Sequence, residues 1–260
     1  MATPKPNGEP PLLSVRHLHK EFGGLHVLDG TSFDVKRGTI TGLIGPNGAG
    51  KSTALAVIAG ALQQSSGEIV FRGKDVSHMP AHKRARQGLI RTFQISGEFP
   101  KLTVLENLLV AAPNQAGDSL ARALLGKWTW KAQERRLLER ARQLLSRFEL
   151  ADKADEYAGN LSGGQKRLLQ IARGLMAEPK LLLLDEPMAG VNPALSRRLE
   201  NHLLDLRAEG LTILMVEHEL GVVERLCNPA IVMVQGRVLS EGTMTELRTH
   251  QEVLDAYLAG

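Results

Sequence analysis

Between the apolar run TITGLI and the apolar-periodic run STALAVIAGAL lies GPNGAGKS, Gly45 to Ser52. It satisfies G-x-x-x-x-G-K-[ST] in the strand-then-helix setting the pattern requires, and so dictates a strand, a phosphate loop and a helix in succession. Gly45, Gly48 and Gly50 let backbone amides turn inward on a phosphate, and the helix amino end adds positive potential. Lys51 is placed to reach the β- and γ-phosphates and Ser52 to ligate Mg2+. Pro46, Asn47, Ala49 and Thr53 complete the expected nucleotide-binding stretch.

A second apolar run, LLLLDEP, predicts a buried parallel strand ending in Asp185 and Glu186. Doubly wound sheets bind ligands at the carboxyl ends of their strands, so Asp185 is the expected metal acid. Glu186, one residue on, is placed to polarise an attacking water. Two strand-end carboxylates can also merely cap a turn, and the phosphate loop upstream decides between the readings.

From Leu12 the runs LLSVRHLHKEF, HVLDGTSFDV and TITGLIG read as strands, with turns at Gly23-Gly24, Asp29-Gly30 and Lys36-Arg37-Gly38. EIVFRG adds a strand before the basic stretch AHKRARQGLIRTFQ. From Leu105 to Phe148 the periodicity is helical. From Lys180 strands and helices alternate, and PAIVMVQG with RVLSEG reads as a closing hairpin. The expected fold is α/β: a mostly parallel P-loop core, an antiparallel β subdomain and an inserted helical subdomain. Boundaries are set at 1–11 for a Pro-rich lead-in, 12–93 and 166–260 for the core, and 94–165 for the helical insertion.

The chain has 260 residues and a formal net charge of +4, which suits an anionic partner without choosing among nucleotide, nucleic acid and membrane surface. Six basic and two acidic residues between Lys131 and Arg147 concentrate that charge on one expected helix. The single cysteine, Cys227, is expected to be a buried thiol beside Val222 and Leu226. No apolar run approaches the ~20 residues of a membrane span, and MATPKPNGEPP has no signal-peptide core, so a cytoplasmic location is expected.

NLSGGQKRLLQIARGL, from Asn160 to Leu175, begins a helix with Ser162 as N-cap and Gln165 three residues on, a capping box. Leu168, Leu169, Ala172, Leu175 and Met176 form its apolar stripe. Helix capping alone would account for these residues. Placed between GPNGAGKS and LLLLDEP, however, LSGGQ makes the chain from about Leu12 onward resemble the ATP-binding-cassette ATPases.

That resemblance implies further roles. Phe22 matches the aromatic that stacks on adenine, Gln94 in RTFQ the glutamine linking Mg2+ to the transport partner, and His218 the histidine that contacts the γ-phosphate. Ala189 to Asn192 match the loop after the second strand motif. The family works as head-to-tail dimers, with Ser162, Gly163, Gly164 and Gln165 of one subunit closing over ATP held by the other. Integral permease subunits are the implied membrane partners, which would hold the chain peripherally on the inner membrane face.

FGGLHVLDG, RTFQ followed by FPKLTVLENLLV, the insertion before AGNLSGGQ, VEHEL and the ending EGTMTELRTHQEVLDAYLAG are similar to the ATPase subunits of branched-chain amino-acid importers. This implies an extracytoplasmic solute-binding protein as a further partner. Urea and short-amide importers, lipid or lipopolysaccharide exporters, and soluble cassette ATPases acting on nucleic acid or ribosomes are the alternatives. Trp128 and Trp130 in the insertion suggest helix packing only.

Overall fold

Five consecutive buried residues leave a strand no solvent face, and three strands among the described residues are of that kind: β3 (Ile40–Ile44), β7 (Leu181–Asp185) and β8 (Thr212–Val216). The computed structural model describes residues 10–92, 98–113 and 127–258. In it these strands lie at the centre of a six-stranded sheet of order β10-β9-β3-β8-β7-β6, with β6 (Leu89–Arg91), β9 (Ala230–Val234) and β10 (Arg237–Gly242) outside them. All neighbouring pairs are parallel except the β9–β10 hairpin.

Side chains alternate across a strand, and β7 divides accordingly. Leu182 and Leu184 enter one core, and Leu181 and Leu183 the other. Ile213 and Met215 of β8 separate from Leu214 and Val216 in the same way. Asp185 shares the parity of Leu181 and Leu183, which turns its carboxylate toward the face covered by α1 (Lys51–Ile58).

That face also meets an antiparallel sheet of order β2-β1-β4-β5, made by β1 (Leu13–Phe22), β2 (Leu25–Val35), β4 (Ser66–Phe71) and β5 (Lys74–Asp75). Within β1 the buried set runs Leu13, Val15, then Leu18. A register shift falls at the break, where His17 has φ +47°, as in a bulge that restores the inward phase.

Part of the basic stretch is structural. Arg84, on α2 (Ala81–Arg86), is 2% exposed and donates to the carbonyls of Val57 and Ile58 at the end of α1 and to those of Ser77 and Met79. Its cation therefore complements a helix carboxyl end.

The opposite face is covered by α3 (Val104–Val110), α4 (Lys127–Arg147), α5 (Gly163–Met176) and α6 (Pro193–Ala208), whose buried residues join Leu182, Leu184, Ile213 and Met215. All five residues of the expected α5 stripe are buried. Arg140 and Arg147 of α4 reach off the helix to Glu178 and Glu209. Helix α7 (Leu220–Leu226) follows β8, and α8 (Met244–Leu247) and α9 (Gln251–Leu258) follow the edge strand β10. Cys227 is buried after α7, and burial pushes its thiol up to about 12. Among the described residues no helix is long and apolar enough to cross a membrane.

Candidate active site

The phosphate loop is shaped by steric limits at its two ends. Gly45 has φ +144°, and a Cβ there would collide with the Met233 carbonyl oxygen. At Gly50, φ +94°, a Cβ would lie 2.6 Å from the Val27 carbonyl oxygen. Only glycine fits either place.

Gly50 is also the N-cap of α1 and supplies no side-chain hydrogen bond. The helices α3, α5, α6 and α8 begin instead with Thr103, Ser162, Asn192 and Thr243 bonded to their own amides. The first turn of α1 therefore keeps its donors for an external anion. Lys51 is 5% exposed and donates to the Gly45 and Pro46 carbonyls, both at 2.8 Å. Burial lowers its pKa, while Glu186 and Asp185 act in the opposite sense. Asn47 and Gly48 are exposed, Ala49 is buried, and Ser52 and Thr53 are half-buried.

Asp185 ends β7 with its side chain fully buried. Its Oδ1 accepts from Ser52 Oγ at 3.0 Å and its Oδ2 from Arg91 Nη2 at 2.9 Å. Glu186 adopts φ +49°, sparsely populated for a non-glycine residue. This sharp exit from the strand sets its carboxylate beside His218, at 2.8 Å from Oε1 to Nε2. The sheet thus gathers Lys51, Ser52, Asp185, Glu186 and His218 at the carboxyl ends of β3, β7 and β8.

Three residues given no site role from the sequence complete this arrangement. Arg91 is one. Arg167, on α5, donates to the Glu186 carbonyl at 3.0 Å. Glu217 is buried and accepts from the Met188 amide at 2.9 Å and, at 3.3 Å, from that of His218, which ties the turns after β7 and β8 together. Burial raises the Glu217 pKa, and the nearby Glu186 adds to the rise. Arg91 and Glu217 both stood in quoted motifs, RTFQ and VEHEL, but their reach depends on strand register that a motif does not contain.

Phe22 sits at the end of β1 with 45% exposure and with Lys20 Nζ 4.7 Å from its ring centre. Ser162 and Gln165 bond each other at the start of α5, Gln165 Oε1 accepting from the Ser162 amide at 2.9 Å, and not the phosphate loop. Ser162 and Gly163 are exposed, and Leu195 of α6 packs over Gly164. Asn192, in the loop after β7, caps α6. Gln94 lies outside the described residues.

An uncapped helix behind a glycine loop and a buried strand-end acid define a nucleotide-binding ATPase. The ABC transporter family model matches residues 28–189, more than half of the chain, and the protein belongs to that family. It is 38% identical over 247 residues to the probable branched-chain amino acid transport ATP-binding protein LivG of Archaeoglobus fulgidus, covering 95% of each chain. It is 37% identical over 249 residues to the high-affinity branched-chain amino acid transport ATP-binding protein LivG of Escherichia coli K12, covering 95% of this chain and 98% of the relative.

A crystal structure of a nucleotide-free ATP-binding cassette from an ABC transporter superposes with a TM-score of 0.83 at 36% identity, covering 95% of this chain and 99% of that one. The ADP conformation of the cassette MJ1267 superposes at 0.82, with 35% identity and coverage of 97% and 100%. The protein is thus an ATP-hydrolysing subunit of an ABC transporter, a class that works with membrane permease components. The alternative of a soluble cassette acting on nucleic acid or ribosomes is set aside.

Proposed function

We propose that this subunit powers uptake of branched-chain amino acids, or of a related small polar solute, by hydrolysing Mg2+-ATP at a site shared by two ATPase subunits. The observation that carries the catalytic part is the convergence of Lys51, Ser52, Asp185, Glu186 and His218 at adjacent strand ends. The names of the full-length relatives supply the solute class.

Ser52 Oγ and Asp185 Oδ1, 3.0 Å apart, are hard oxygen donors of the kind Mg2+ prefers, and Gln94 is the proposed further contact. Bound there, Mg2+ would neutralise charge on the β- and γ-phosphate oxygens. Phe22 offers its exposed ring to adenine, while the loop from Gly45 to Thr53 wraps the phosphates. Lys51 exchanges its two loop carbonyls for phosphate oxygens. Glu186 accepts a proton from water as the water oxygen bonds to the γ-phosphorus and the bond to ADP breaks. His218 steers the Glu186 carboxylate and meets the γ-phosphate.

Ser162, Gly163, Gly164 and Gln165 reach the γ-phosphate held by the second subunit, a role supported by the exposure of Ser162 and Gly163 at the helix start. Residues 94–165 form the helical unit that moves against a core of 12–93 and 166–260. Helix α5 begins inside that unit and continues into the core, linking the two. Permeases hold the subunit on the inner membrane face, and an extracytoplasmic binding protein delivers the solute.

Reconstitution with the permeases and binding protein tests the assignment. Leucine, isoleucine or valine should raise ATP turnover severalfold. Stimulation by urea or short amides in their place would move the solute class, and lipid-stimulated turnover would replace uptake by export.

A further inference from the structure

The Asp185 carboxylate has two occupied oxygens, and their partners differ in kind. Ser52 Oγ approaches Oδ1 from α1, and Arg91 Nη2 approaches Oδ2 from β6. The register explains the second contact. Arg91 lies opposite Leu183 in the parallel β6–β7 pair, and Asp185 is two residues further along the same face of β7. Leu89, two residues before Arg91, shares a core with Leu181 and Leu183. Arg91 is therefore built into the sheet on the side that carries the site, with its side chain only 19% exposed.

Resting on the Mg2+-ATP reading, we propose that Arg91 is a positioning residue that locks the Asp185 carboxylate with Oδ1 toward Ser52, in the orientation a divalent cation requires. The outer torsion of an aspartate is broad and nearly two-fold. Without a partner on Oδ2 the group can rotate either oxygen toward the metal or chelate with both. A guanidinium on Oδ2 removes that freedom, leaves Oδ1 available, and balances the charge of a carboxylate with no access to water. The hydroxyl and the guanidinium use different oxygens, so a metal can replace the Ser52 contact while Arg91 stays in place. Partners that orient a ligating carboxylate govern metal affinity by about 10- to 100-fold.

The test is Mn2+ binding to the full-length chain with ADP, followed by electron paramagnetic resonance, beside ADP affinity measured in EDTA. R91Q should weaken Mn2+ binding by about ten-fold or more and leave metal-free ADP affinity within about two-fold. R91K, a shorter point charge, should fall between R91Q and the parent. In a D185N background R91Q should cause no further loss, because Arg91 acts through Asp185.

Unchanged or tighter Mn2+ binding in R91Q overturns the proposal, as does an equal loss of metal-free ADP affinity. Should R91Q not fold, parent-like Mn2+ binding by R91K overturns it instead. If the parent chain binds no Mn2+ with nucleotide, it is the Mg2+-ATP reading that fails.

Discussion

Glu186 combines a left-handed backbone, a strand-end position and a histidine partner 2.8 Å away. Replacing it by glutamine keeps the size and removes the base. E186Q is expected to lower ATP turnover by at least about 100-fold, while ATP is still bound and the ATP-bound dimer accumulates in gel filtration. Near-normal hydrolysis with monomers only would remove Glu186 from the mechanism. Glu217 makes a different prediction, about stability. Burial raises its folded pKa above 4.5, so the folded state holds that proton where the unfolded chain has released it. Stability from this group is full below 4.5 and is lost as pH rises through the folded value. E217Q, which retains a carbonyl for the Met188 amide, should flatten that decline. Chemical denaturation of parent and variant at several pH values would show a difference that grows with pH, and parallel curves would refute it.

At the scale of elements, α1 is free at its head and bound at its tail. Arg84 satisfies the Val57 and Ile58 carbonyls together with those of Ser77 and Met79. R84M leaves these four acceptors without their shared cationic donor and should cost roughly 3 kcal/mol of stability, measured by urea unfolding. A loss below about 0.5 kcal/mol would mean that the carbonyls find other partners. The longer elements were legible in the sequence because each had a strong local cause: four leucines before Asp185, a five-residue apolar stripe after LSGGQ, glycines where the loop turns. Strand β6 had none. Leu89, Ile90 and Arg91 are too few to show alternation, and only pairing with β7 makes them a strand. The residue missed at the metal side, Arg91, stands on the strand that was missed. The left-handed turn at Glu186 was likewise invisible, since nothing in DEP demands it.

For the whole molecule, the separation between the start of α5 and the phosphate loop becomes a prediction about pairs. A chain carrying S162R keeps its own Lys51, and a chain carrying K51A keeps its own Ser162. Each alone should be nearly inactive. Mixed, they form heterodimers in which one of two sites has both good halves, so part of the turnover should return on mixing. Activity that stays at the level of the separate variants, with ATP still bound by the S162R chain, would reject the shared site. Arg84 carries one more consequence. The formal charge of +4 counts it as fully as any exposed lysine, yet its guanidinium faces four carbonyls and almost no water. Arg91 likewise turns inward, toward the acid of its own site. Asp185 and Glu217 are withdrawn from water as well, so cations and acids alike serve as internal scaffolding, and the amino-acid count is a poor guide to the charge an approaching polyanion meets.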